Sequence, residues 1–127
     1  MANVLIVEPD AVLARCYAEY LVKQDHKVTV ANGAQTAIHA CDETSPDIIF
    51  LELQLGEHNG IEFLYELRSY SDLKKIPVVI LSNIPKQEFE DQKNVKKQIN
   101  VEQFIYKPSA TLSQLKQLVD RYSKQQA

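Results

Sequence analysis

The sequence predicts an α/β domain in which one parallel sheet is covered by helices on both faces. Three observations point there. Five short apolar runs alternate with five stretches of helical character along 127 residues, and right-handed crossovers turn that order into a parallel sheet. The run Ile48–Leu51 contains no polar residue, as befits a strand buried on both faces. Four of the runs end at a polar residue, namely Glu8, Glu52, Ser82 and Lys107. In an open parallel sheet, ligands and chemistry gather at the carboxyl ends of the strands, so these four side chains are expected to be neighbours.

The elements follow in order. Residues 4–7 form a first strand, which Glu8-Pro9-Asp10 breaks. Asp10 suits the N-cap of a first helix whose apolar residues are Val12, Leu13, Cys16, Tyr17, Tyr20 and Leu21. Lys27–Ala31 reads as a short alternating strand, and Asn32-Gly33 turns the chain into a helix marked by Ala34, Ala37, Ile38 and Cys41. The third strand, Ile48–Leu51, leads through Asn59-Gly60 into a helix carrying Ile61, Leu64 and Leu67, with Tyr70 extending its buried stripe. Pro77 introduces a strand over 78–81. Residues 86–97 carry the weakest pattern, because Phe89 and Val95 do not keep helical spacing; we read a poorly packed helix ended by Asn100. Gln103–Tyr106 is the fifth strand. Thr111 and Gln114 suit a capping box for a last helix with Leu112, Leu115, Leu118, Val119 and Tyr122 on one face.

Composition narrows the class. The chain is expected to be a single domain over 1–127 with no output domain, long enough to bury roughly two thirds of its unfolded surface. Apolar residues make up 45% and charged ones 24%, and no apolar run approaches the ~20 residues of a membrane span. Met1 leads almost directly into a strand instead of a signal peptide, so the cytoplasm is the expected location. Cys16 and Cys41 lack paired spacing and read as buried free thiols; the three histidines form no cluster. Residues 1–63 hold ten acids against three bases, and residues 64–127 hold seven against eleven, net −7 and +4. The acidic total and the lack of a basic stripe argue against nucleic acid.

Taken together, VLIVEPD, PDIIFLELQLGEHNG, IPVVILS and FIYKP resemble the receiver domains of two-component response regulators across essentially the whole chain. The resemblance implies a flavodoxin-like (βα)5 fold, strand order 2-1-3-4-5, with its pocket between strands one and three. It places Glu52 where the family carries a phosphoaccepting aspartate. Glu8 matches the first of two metal-binding acids, whereas Pro9 stands at the second. Ser82 matches the hydroxyl that contacts the phosphoryl group, Lys107 the lysine that pairs with it, and Pro108 a cis-proline that aims the lysine inward. Gln54 lies in the same loop, and Phe104 stands where many members carry an aromatic residue that moves on activation.

The departures bear on function. Phosphoryl transfer depends on positioning and on charge neutralised by a metal. Glutamate moves the carboxylate by about an ångström or more, a displacement that can cost around a hundredfold in rate. Glu8 and Glu52 alone make a poor magnesium site, so no cofactor is expected, with magnesium weakly held by Glu8 and Glu52 as the alternative. Asp10 either caps the helix or bends back as a substitute ligand. Glu52 and Lys107 either form a leftover ion pair or partly imitate the phosphorylated state. Phe104 either packs or switches. The function expected is a non-enzymatic pseudo-receiver that signals by protein interaction through helix four, strand five and helix five. Its implied partners are a histidine kinase, another regulator or a second copy in a homodimer. Lys86, Lys93, Lys96 and Lys97 lie in or near that face, either as docking residues or as a solvated surface. The alternatives are a working phosphoacceptor with an unusual pocket and a flavin-type carrier. The carrier is disfavoured because the loop at 8–10 lacks phosphate-cradling glycines.

Overall fold

Apolar residues on both faces of the central strands force helices onto both sides of the sheet, and the computed structural model, which describes residues 1–56, 58–90 and 100–123, has that arrangement. The strands are β1 (Asn3–Val7), β2 (Lys27–Ala31), β3 (Ile48–Leu51), β4 (Val78–Ser82) and β5 (Gln103–Tyr106). All neighbours are parallel and their order is 2-1-3-4-5. The helices are α1 (Ala11–Lys23), α2 (Ala34–Thr44), α3 (Gly60–Ser69), the described turn of α4 (Lys86–Glu90) and α5 (Leu112–Ser123). A small antiparallel ribbon pairs Gln54 with Asn59 and Leu55 with His58 outside the main sheet.

Strand alternation divides the core. Leu5, Val7, Ile49, Leu51, Val78 and Ile80 face one side, with residues of α2, α3 and α4. Val4, Ile6, Ile48, Phe50, Val79 and Leu81 face the other, with residues of α1 and α5. The two sets interleave residue by residue, the period of two that a strand imposes. This is the flavodoxin-like fold.

The caps follow the sequence. Asp10 accepts hydrogen bonds from the N–H groups of Val12 and Leu13 through Oδ1, at 3.0 and 3.1 Å. Thr111 and Gln114 exchange side-chain to backbone bonds at the start of α5. Gly60 has a steric role: a Cβ there would lie 2.8 Å from the Glu52 carbonyl oxygen and 2.8 Å from the Leu53 Cα. Its N–H bonds the Leu53 carbonyl at 2.7 Å, so α3 starts hard against the end of β3.

Three expectations need correction, and a fourth falls outside the described residues. The buried face of α1 is Ala14, Tyr17 and Leu21, with Leu13 and Tyr20 partly buried, whereas Val12 and Cys16 are exposed. At 100° per residue, Val12 and Cys16 lie on the far side from Ala14 and Tyr17. Tyr70 does not extend the stripe of α3: it ends the helix, is exposed, and donates to Glu66 at 3.0 Å. The bond before Pro108 is trans, since no cis peptide occurs among the described residues. Lys107–Ser109 is a 3-10 turn closed by the Ala110 N–H on the Lys107 carbonyl, a turn that accepts proline in its lower-energy trans form. Lys93, Lys96 and Lys97 and the end of α4 that Asn100 was expected to cap lie outside the described residues.

Candidate functional site

Register brings the polar strand ends together. Val7 pairs with Leu51 across β1 and β3, so Glu8 and Glu52 both follow paired residues at the same edge. Ser82 pairs with Tyr106 across β4 and β5, so Lys107 comes one residue beyond Ser82. The Glu8 and Glu52 N–H groups continue the ladder to Ala31 and Val7, at 2.9 and 3.0 Å. Backbone pairing therefore places the carboxylates before any side-chain contact is made.

The side chains then close on one another. Lys107 Nζ donates to Glu8 Oε1 and to Glu52 Oε1, both at 2.6 Å. Glu52 Oε2 accepts from the Ser82 hydroxyl and, at 3.0 Å, from the Gln54 N–H. Glu8 Oε2 accepts the Asp10 N–H at 3.1 Å. The side chains of Lys107, Glu8 and Glu52 are only 9%, 4% and 3% exposed. Burial works against the charge on Glu52, but the bonds from Lys107, Ser82 and the Gln54 amide outweigh it and hold this carboxyl below its ordinary value. Burial likewise works against the Lys107 ammonium, and Glu52 and then Glu8 raise it above its ordinary value despite that. The ion pair is thus formed at neutral pH.

The remaining expected residues are placed as follows. Pro9 is exposed beside the cluster and contributes no donor or acceptor to it. Gln54 enters through its backbone N–H, with its residue otherwise exposed. Phe104 is half-buried and packs on Phe89 of α4, ring centroids 5.6 Å apart. Phe89, which broke the helical pattern in the sequence, is itself buried. Lys86 is exposed at the start of α4. The Ser82 Oγ also accepts the Ile84 N–H at 3.1 Å, tying the cluster to the segment that leads into α4.

Sequence reasoning missed three participants. The backbone amides of Asn83, which donates to Glu52 Oε1 at 3.4 Å, and of Ile84 leave no trace in residue type. Arg68 was not singled out, yet its guanidinium donates to the carbonyls of Lys74, Ile76 and Asn100, tying the end of α3 to the approach to β5. Its position in the last turn of an amphipathic helix was the available signal. A surface cleft of about 490 Å³ between α2 and α3, lined in part by Ile38, Phe63, Asp42, Glu62 and Glu66, lies apart from the strand-end cluster.

A magnesium ion does not fit the donor set. Each of the four oxygens of Glu8 and Glu52 already accepts a hydrogen bond from the protein. Pro9 adds none, and the Asp10 Oδ1 is committed to the cap of α1. Among the described residues no group of three or more His, Cys, Asp or Glu is placed to hold a metal. Magnesium requires a near-octahedral set of oxygens at about 2.0–2.1 Å.

The comparisons with known proteins agree with this geometry. The response regulator receiver domain family matches residues 4–120. The protein-glutamate methylesterase/protein-glutamine glutaminase of Treponema denticola is 40% identical over 88 residues, 67% of this chain and 23% of that protein. The regulatory protein VirG of Agrobacterium fabrum is 30% identical over 112 residues, 87% of this chain and 42% of that one. The chain spans less than half the length of these curated relatives. Among solved structures, the phosphorylated cyanobacterial phytochrome response regulator RcpA is 31% identical with a TM-score of 0.72, covering 94% of this chain and 89% of that one. A sensor protein from Polaromonas sp. JS666 shares the fold, with a TM-score of 0.85 at 21% identity and coverage of 99% and 98%. Because the family match takes in all five strands and each residue of the strand-end cluster, the protein belongs to the response regulator receiver domains of two-component signalling.

Proposed function

We propose that this receiver, a single domain over residues 1–127, acts by protein interaction without accepting phosphate. One observation carries the reading. The Glu52 carboxylate already engages the two groups, Ser82 and Lys107, that the family resemblance assigns to the phosphoryl group. A carboxylate supplies one charge and two oxygens where a phosphate supplies nearly two charges and three oxygens, so the imitation is partial. Ser82 passes it on through the Ile84 N–H toward α4, and Phe104 is packed inward on Phe89. The face that reads this state is α4, β5 and α5. Its partners are a histidine kinase, another regulator or a second copy of the chain. No helix among the described residues is long and apolar enough to cross a membrane.

The test is incubation with acetyl phosphate and magnesium followed by intact mass. An unchanged mass is the expected result, and a stoichiometric adduct of one phosphate overturns the reading. The second reading, phosphate accepted on Glu52, is favoured by the likeness to RcpA, which was solved phosphorylated. The same measurement decides between them.

A further inference from the structure

We propose that Lys107 is the resident cation of this site, a covalently attached ammonium that takes the place of a divalent metal ion and makes the receiver independent of metal. The inference rests on the reading of a receiver that signals without accepting phosphate, and it names how that site is held.

Geometry comes first. The two carboxylate oxygens that converge between β1 and β3, Glu8 Oε1 and Glu52 Oε1, meet Lys107 Nζ at 2.6 Å each. That is the separation of a short ammonium to carboxylate hydrogen bond, well beyond a magnesium to oxygen bond of about 2.0–2.1 Å. The outer oxygens are turned away from this point and tied down, Glu8 Oε2 by the Asp10 N–H and Glu52 Oε2 by Ser82 and the Gln54 N–H. A metal entering between the carboxylates would therefore have to displace the ammonium.

Charge points the same way. Two carboxylates and one ammonium leave a formal charge of −1 in a site whose ionic side chains are less than a tenth exposed. Adding a dication while Lys107 stays would turn that to +1. Expelling Lys107 would strand an ammonium delivered by β5, because the 3-10 turn at Lys107–Ser109 fixes its backbone at the edge of the sheet. A third acid would shift this balance toward metal, and Pro9 is the residue that withholds it. A tethered cation has no dissociation step, so the arrangement does not vary with free metal or chelator.

The experiment uses manganese as the probe, followed by the electron paramagnetic resonance signal of the free ion. Thermal melts in magnesium chloride and in potassium chloride of equal ionic strength run beside it. The wild-type chain is expected to take up no manganese at about 10 mM and to melt at the same temperature in both salts. Lys107→Met, which takes the pocket from −1 to −2, is expected to bind manganese at least about tenfold more tightly than wild type. Lys107→Gln drops the charge while keeping a hydrogen-bond donor and serves if the methionine variant does not fold. Submillimolar manganese binding by wild type that Glu52→Gln abolishes overturns the proposal, as does a lysine variant that binds no better than wild type. The two readings fail separately. A phosphate adduct on intact mass without metal binding overturns the proposed function alone, and metal binding without an adduct overturns this inference alone.

Discussion

Two clusters of charged groups sit at opposite ends of the sheet, and they are built differently. At the carboxyl end, β1, β3, β4 and the residue after β5 deliver Glu8, Glu52, Ser82 and Lys107 to one point, with every ionic side chain less than a tenth exposed. At the amino end, His26 precedes β2 and accepts the Ala2 N–H on Nδ1 at 3.0 Å. With that nitrogen an acceptor, Nε2 carries the proton and donates to Asp120 of α5 at 2.9 Å. Lys116 completes the group, 2.5 Å from Asp120. Here only His26 is buried, at 5% side-chain exposure, while Asp120 and Lys116 are 38% and 39% exposed. Water solvates one cluster, whereas the other has only itself. The difference teaches that the number of charged groups matters less than whether the ions themselves are buried.

The largest expected effect comes from removing the buried cation. Lys107→Met leaves Glu8 and Glu52 close together without a counter-ion, and breaking a buried pair in this way costs about 3–5 kcal/mol. Urea unfolding at neutral pH measures it, and a loss below about 1 kcal/mol would show that water reaches the cluster. The deficit should shrink as pH falls, because protonating one glutamate relieves the repulsion. Wild type behaves in the opposite sense. Glu52 titrates below its ordinary 4.5 in the folded state, so its contribution is present above 4.5 and is lost as pH falls through the lower folded value. Lys107 titrates above its ordinary 10.5, so its contribution is present below 10.5 and is lost as pH rises through the higher folded value.

Glu52→Gln is a smaller perturbation at the same end. Lys107 keeps Glu8, Ser82 keeps an acceptor, and the charge that engages both is gone. We expect a loss of about 1–3 kcal/mol in urea unfolding, in the range of a buried hydrogen bond to a charged group. Acid sensitivity below pH 4.5 should flatten, because the group whose charge is lost as pH falls through its lowered folded value has been removed. Partner binding or self-association should weaken if the Glu52 carboxylate sustains the signalling state. Equal affinity of both forms would leave the ion pair a structural remnant.

The same contrast explains what was legible in the sequence. The site could be read because strand ends are marked by local pattern. Apolar runs stop at Glu8, Glu52, Ser82 and Lys107, and parallel register carries the stops to one edge. The amino-end cluster could not be read. His26 and Asp120 are separated by 94 positions, and neither interrupts a periodic pattern. In α1 the apolar residues exceed one face, so periodicity admitted Val12 and Cys16 to a stripe from which the helix turn excludes them. Phe89 shows the reverse failure: over 86–97 it and Val95 do not keep helical spacing, yet Phe89 is buried and packs on Phe104 from a distant strand. Pro108 misled because residue type does not decide an isomer; the 3-10 turn at Lys107–Ser109 accommodates the trans form.

The amino end supplies the smallest effect, that of Asp120→Asn, and the sharpest control. His26→Leu leaves the buried Ala2 N–H without its acceptor and is expected to cost about 1–3 kcal/mol. Asp120→Asn tests the charge of that cluster while keeping an acceptor for His26. The Lys116 bond holds the Asp120 carboxyl below its ordinary 3.8; partial burial opposes the shift and the His26 bond adds to it. Its contribution is therefore present above 3.8 and lost as pH falls through the lower folded value. Because Asp120 is 38% exposed, solvent screening reduces this to about 0.5 kcal/mol or less, and added salt should erase it. Urea unfolding of Asp120→Asn and Glu52→Gln at low and high salt places the two ends on one scale. A salt-independent loss for Asp120→Asn as large as that for Glu52→Gln would mean that burial of the ions does not separate the clusters. A small, salt-sensitive loss beside a large, salt-insensitive one would locate the difference in solvent access.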